Sequence, residues 1–382
     1  MLTRLQDKAV GAIAGAAVGD ALGGATEGWT VEQIQQRYGG YVEGVVGPFN
    51  TDWRNARPIA PYHKGDGHIT DDTLMTQALI RVYTKAERHL DAYAAADLLV
   101  PEMMGERRWV PELEEEALLL QRVFLAEKWL VARLHYGHVD PREAGTGNIV
   151  NCGAAMYMAP VGVVNAGDPE GAYTEAIDLA GAHQSSYGRE AAGVFAAAVA
   201  AAMGPGADAE AVVAAALGLA KDGTRAAIEA VCERARGISG WRGSAAALRE
   251  AVAPFDTVAD TYRDQGLGAR RPSRVHSIEE LPLALAFLLI AGGDYRDTVL
   301  GGVNYGRDAD SIASMGGALA GALGGRDAVP REWRIQVAEA SRTDIETPGL
   351  DLAEVALRIR TADRRRREAA DAALAKLEQP AA

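Results

Sequence analysis

Two stretches of this chain carry glycine at every fourth position: Gly11, Gly15 and Gly19 in KAVGAIAGAAVGDALGG, and Gly317, Gly321 and Gly325 in SMGGALAGALGG. Residues four apart lie on one face of an α-helix, so each stretch presents a face without side chains. Glycine inside a helix costs about 1 kcal/mol against alanine. A stripe of it implies compensation, and the close approach of a second backbone supplies one. Both segments are therefore expected to be central, tightly packed helices. Chance is the competing explanation for either stripe alone, in a chain with 43 glycines.

Ahead of the second stripe stands GGVNYGRDADS, read as a glycine-rich turn that ends in Asp308-Ala309-Asp310-Ser311 at a helix start. Free backbone N–H groups and the helix dipole favour anions there. Asp and Ser are also the ordinary N-cap residues, so the motif reads as a cap before it reads as anything else. A second cluster of the same kind, Thr70-Asp71-Asp72-Thr73, opens the apolar helix Leu74–Val82 far upstream. Two acid-rich helix starts facing each other would converge hard oxygen donors on a point, which suits Mg²⁺, Mn²⁺ or Ca²⁺.

The 382 residues allow one large domain or two ordinary ones. With 48% hydrophobic and 24% charged residues the chain belongs among folded globular proteins. A net charge of −13 argues against a nucleic-acid partner, which requires a basic face. Cys152 and Cys232 make neither a disulfide scaffold nor a thiolate zinc site, and they suit a reducing cytoplasm. The N-terminal segment resembles a signal peptide only weakly, since Asp7, Lys8 and Asp20 interrupt it. No apolar run is long enough to span a membrane, so no membrane role is expected.

In chain order, 5–22 and 31–38 read as helices, and 39–68 as a long loop forming a lid or rim over the acid site. Glu27, in GDALGGATEGWT, is either solvated or presented to a site. Residues 72–105 read as two helices. Residues 111–135 read as a further helix, with Glu112, Glu114, Glu115 and Glu116 as its solvated first turns. AGTGNIVNCG, containing Asn151 and Gly153, is a second loop. His183 sits at a junction between helices, where a lone histidine is first a structural residue. Two or three helices follow over 207–252. Arg270, Arg271 and Arg274 read as a solvated rim, Glu279–Ala291 as an apolar helix, and Arg364–Arg367 as the solvated face of the C-terminal helix 351–378. Period-two alternation is absent. The expected fold is all-α, one compact domain over 1–382 of roughly ten or more helices.

Taken together, GAIAGAAVGDALGGATEG, ITDDTLM, NCGAAMYMAPVG, GAHQSS and GGVNYGRDADSIASMGGALAGALGG, with Pro330 and Trp333 after them, resemble the ADP-ribosylglycohydrolase family in order and spacing over about residues 8–335. The resemblance implies an all-helical, orthogonal single-domain fold around two Mg²⁺ (or Mn²⁺) ions. It implies metal ligation by Thr70, Asp71, Asp72, Asp308, Asp310 and Ser311, with Asp72, Asp308 and Glu27 in the catalytic machinery. It places Asn151, Gly153 and His183 at the substrate. The implied chemistry is hydrolysis of an N- or O-glycosidic bond at a ribosyl C1 through an oxocarbenium-like state. The ions would grip the ribose hydroxyls and lower the pKa of a water. The substrate would be a small molecule or an ADP-ribosylated protein. The chain departs from the family pattern at Ala309 and Ser311, where Ser311 keeps a ligating oxygen, at Ile149 and Val150, at Tyr157 in place of a cation, and at Gln184–Tyr187. These departures leave the ribose end intact, and the last three touch the diphosphate–adenosine end. The alternatives are hydrolysis of a small N-riboside, a catalytically inactive ADP-ribose-binding or crystallin-like member of the family, or a metallophosphatase.

Overall fold

The computed structural model describes residues 2–55, 62–110, 112–255 and 276–379. Its centre is the pair of glycine-striped helices, Arg4–Gly23 and Ala309–Gly324. The first opens on a capping box, in which Thr3 Oγ1 accepts from Gln6 N at 3.2 Å and Gln6 Oε1 accepts from Thr3 N at 3.0 Å. The two stripes face each other. A Cβ on Gly15 would lie 2.5 Å from Gly317 O, one on Gly19 2.5 Å from Ala313 C, and one on Gly23 2.5 Å from Asp310 Cα. These helices touch backbone to backbone along their length, which accounts for both stripes. Lys8 Nζ donates to Ala322 O at 2.6 Å and Ala202 O at 2.9 Å, satisfying carbonyls at two helix C-termini.

Around this pair pack His276–Ile290, Tyr295–Tyr305, Ser186–Ala202 and the start of Thr347–Leu377, where Gly349 lets the backbone approach Val10. The apolar residues form one continuous core. The fold is all-α, as the sequence implied. Arg364–Arg367 are exposed on the C-terminal helix. Among the described residues no helix is long and apolar enough to cross a membrane. Arg270, Arg271 and Arg274 lie outside the described residues.

Three local expectations are corrected. The described part of 111–135, from residue 112, does not open as a helix. Arg107–Val110 and Glu115–Leu118 form an antiparallel pair in register Arg107↔Leu118, and helices Leu119–Arg122 and Leu125–Leu130 follow. Glu114 takes a left-handed φ of 54° at the bend, which breaks any helix there. Glu112 is not a solvated residue: it is 6% exposed and faces the buried Arg122, with Oε1 3.5 Å from Nη2. Finally, Gly301 and Gly302 are helical. The helix Tyr295–Tyr305 is capped by Asp294 and needs both glycines, because the Phe287 ring crowds one and Ala313 the other. The turn begins at Gly306, with φ 74°.

Replacing Gly19 by alanine drives a methyl group into the Ala313 carbonyl and is expected to cost about 3 kcal/mol. Gly218→Ala, on a helix with nothing within 4 Å, is expected to gain about 0.5–1 kcal/mol. Urea unfolding of the two variants checks this, and equal effects would show that the stripe is not a contact surface.

Candidate metal centre

Four segments build the site. Asp20 lies on the last turn of the N-terminal helix, and Thr70 caps Asp71–Ala86. Asp20 accepts from Thr70 N at 2.9 Å, Thr70 Oγ1 at 2.6 Å, Thr73 N at 3.1 Å and the Thr73 hydroxyl. It therefore caps the Thr70 helix from outside and fixes it to the central pair. Asp308 and Asp310 open the central helix, backed by Gly23. The loop carrying Glu27 is tied to the same helix start: Gly28 N donates to Arg307 O at 2.6 Å, and Arg307 N to Trp29 O at 2.9 Å. Gly306 makes room for that exchange, since a side chain there would strike the Trp29 backbone.

The result is a buried nest of oxygens. Ligand atoms of Asp20, Asp72 and Asp310 lie within 4.8 Å of one another, and so do those of Glu27, His63 and Asp310. Thr70 Oγ1 is 3.3 Å from Asp310 Oδ2. Asp72 Oδ1 is buried with no hydrogen-bond partner. An unsatisfied carboxylate oxygen among other carboxylates is costly unless a proton or a cation meets it. The donors are oxygens from carboxylates and a hydroxyl, so the residues fit a hard divalent ion. Asp71 turns aside: Oδ2 accepts from Phe124 N at 3.0 Å and Oδ1 lies 3.5 Å from Arg122 Nη1.

At the rim, Arg122 Nη2 donates to His63 Nδ1 at 3.0 Å, which leaves the ring proton on Nε2, bonded to Glu27 Oε2. Burial, then Arg122, lowers the His63 pKa. Burial, then Asp310 and Asp308, holds the Glu27 carboxyl well above its ordinary range. Asp20 is pushed up to about 7 by burial and by Asp310. Asp310 is pushed up to about 7 by burial and by Asp308. On the far side, Cys152 Sγ donates to Asp308 Oδ2 at 3.2 Å and lies 3.3 Å from Ser311 Oγ, with Glu280 beside them.

Asn151 Oδ1 accepts from Gly153 N at 3.1 Å and Gln184 Nε2 at 2.9 Å, shaping the turn that leads to Cys152. His183 is fully buried, with its ring nitrogens engaged by Ala126 O at 2.9 Å and the Tyr157 hydroxyl at 3.0 Å. It props this turn from beneath. Burial lowers its pKa to about 4, so it is neutral. Sequence reasoning passed over Asp20, His63, Arg122 and Glu280 as site residues. For Asp20 and Glu280 a signal existed, since each is a carboxylate set directly against a long apolar run of its helix. His63 and Arg122 carry none that a linear reading could separate from ordinary loop and helix residues.

The sequence model of the family described as ADP-ribosylglycohydrolase matches residues 1–369, and the chain belongs to that family. An uncharacterised protein of Archaeoglobus fulgidus is 28% identical over 337 residues, covering 86% of this chain and 91% of its own. A solved structure titled as an ADP-ribosylglycohydrolase-related protein complex superposes with a TM-score of 0.63 at 21% identity, covering 93% of this chain and all of that one, and shares the fold.

In the metal-free protein the raised Asp20 and Asp310 pKa values make the folded state hold protons that the unfolded state, titrating near 3.8, has released. Stability from this source is fully present below about pH 4 and is lost as pH rises through about 7. A divalent cation competes with those protons, so Mn²⁺ is expected to raise Tm by more at about pH 8 than at about pH 5. Scanning fluorimetry checks it; equal shifts at both values would contradict the site.

Proposed function

We propose that this chain is a metal-dependent hydrolase that breaks the glycosidic bond at C1 of a ribosyl group, in an ADP-ribosylated protein or small molecule or in a related ribosyl metabolite. The observation that carries this reading is the meeting of Asp20, Thr70, Asp72 and Asp310 in one buried oxygen nest with Glu27 at its rim. Thr70, Asp72, Asp308, Asp310 and Ser311 would hold Mg²⁺ or Mn²⁺, and Asp71 would join them only by leaving Phe124 N and Arg122. When bound, such ions supply positive charge that orients ribose hydroxyls and acidifies water.

The chain's own groups do the rest. Glu27, whose carboxyl pKa burial and the neighbouring Asp310 and Asp308 raise, is the group placed to give a proton to the leaving group, and His63 Nε2 fixes the direction of that carboxyl. The surrounding carboxylates favour the positive charge that develops at C1. Arg122 holds His63 from behind and is itself held by Glu112 and Asp71.

A smaller ribosyl substrate is favoured over a diphosphate by one feature. Glu127 is fully buried against Gly153, its carboxyl pKa raised by burial and then by Asp71, and its Oε2 has no partner. Together with Tyr157 in place of a cation, these two positions present a diphosphate with a carboxyl and a phenol and no positive charge of their own.

The test is release of ADP-ribose or ribose from ADP-ribosylated peptides, NAD-derived compounds and simple nucleosides, with Mn²⁺ or Mg²⁺ and with chelator. Turnover abolished by chelator is expected. Glu27→Gln should lower kcat about 10²–10⁴-fold while metal uptake persists. Failure to cleave any ribosyl substrate in the presence of metal would favour the inactive binding protein.

A further inference from the structure

We propose that Cys152, Glu280 and Asp308 form a cation position with a thiolate ligand, suited to a borderline-soft divalent ion such as Zn²⁺, Co²⁺ or Fe²⁺ and not to Mg²⁺. The three ligand atoms lie within 4.8 Å of one another, and all three residues are buried. Cys152 Sγ is 3.2 Å from Asp308 Oδ2 and 3.3 Å from Ser311 Oγ. An ion with bonds of about 2.0–2.3 Å separates its ligand atoms by roughly 3–4 Å, and Cys152 Sγ and Asp308 Oδ2 stand at that separation with Glu280 beside them.

The independent observation is Glu280. Its side chain is 0% exposed, no hydrogen bond of ordinary geometry reaches either carboxyl oxygen, and the group it faces is the Asp308 carboxyl. The residue before it, Glu279, is met by partners at one oxygen, while its Oε2 has none. Glu279 Oε1 accepts from the Tyr305 hydroxyl at 2.8 Å and faces Arg307 Nε at 2.7 Å. Glu280 instead points its acid at Asp308 and Cys152. Two facing carboxyls and a thiol, walled off from water, gain from a cation and lose without one.

The sulfur decides the kind of ion. Thiolate is a poor ligand for Mg²⁺ and a good one for Zn²⁺ and its neighbours. Coordination removes the Cys152 proton, which leaves to solvent, so binding strengthens as pH rises. The position shares Asp308 with the hard-oxygen nest, and the two ions would sit on either side of the central helix start. This inference rests on the geometry of the centre and not on which bond the enzyme cleaves.

The full-length chain, stripped by chelator, is titrated with Co²⁺ and followed in the near ultraviolet, where thiolate-to-cobalt charge transfer absorbs. Wild type and Cys232→Ser should show the band. Cys152→Ser and Cys152→Ala should lose it, and Glu280→Gln should bind the Co²⁺ that gives the band at least about tenfold more weakly. Co²⁺ uptake without the band, no uptake at all, or a band that survives in Cys152→Ser overturns the proposal. If the Cys152 variants do not fold, zinc X-ray absorption of the Cys232→Ser protein decides. A sulfur scatterer at about 2.3 Å supports the site, and only lighter scatterers near 2.0 Å overturn it.

Discussion

The contact on which the rest depends is the seam between Gly11–Gly23 and Ala309–Gly325. Removing side chains from both faces lets two helix backbones lie against each other. That closeness carries the last turn of one helix to the first turn of the other, so Asp20 and Asp310 arrive at one place. A Cβ along the seam would push the helices apart and separate the carboxylates with them. The loss of backbone order that glycine brings is offset by this contact and by Lys8, whose ammonium closes the carbonyls at the far end.

From the seam outward, each further ligand is placed by a specific bond. Asp20 grips the Thr70 helix by its cap, backbone bonds from Gly28 N to Arg307 O and from Arg307 N to Trp29 O bring in Glu27, and Asn151 shapes the turn that delivers Cys152. The cost is electrostatic. Asp20, Asp72, Asp308, Asp310 and Glu280 are buried together, and the nearby cation Arg122, with the neutral His63 in front of it, serves the rim. Several kcal/mol of desolvation accompany each buried ion unless charge is returned to it. Raised carboxyl pKa values at Asp20, Asp72, Asp310 and Glu280 are the metal-free protein's answer, and divalent cations are the more complete one.

Much of this was legible in the sequence. The stripes announced the seam, and the two acid helix starts announced the centre, because both signals are local and periodic. Other parts were invisible for physical reasons. Glu112 sits in an acidic run that looks solvated, yet its partner Arg122 lies across a hairpin turned by a left-handed Glu114. Gly301 and Gly302 looked like a turn because only the Phe287 ring and Ala313 explain glycine inside that helix. His63 faces Glu27 across 36 positions of chain, and no spacing rule reaches that far. Ligation by the named residues is the part that neither pattern nor fold decides by itself.

Anomalous diffraction at the manganese edge, from crystals of the full-length protein grown with Mn²⁺, measures that most directly. The account predicts a peak between Thr70, Asp72 and Asp310, within bonding distance of their oxygens. Crystals that diffract well at saturating Mn²⁺ yet show no anomalous density among those side chains would contradict it.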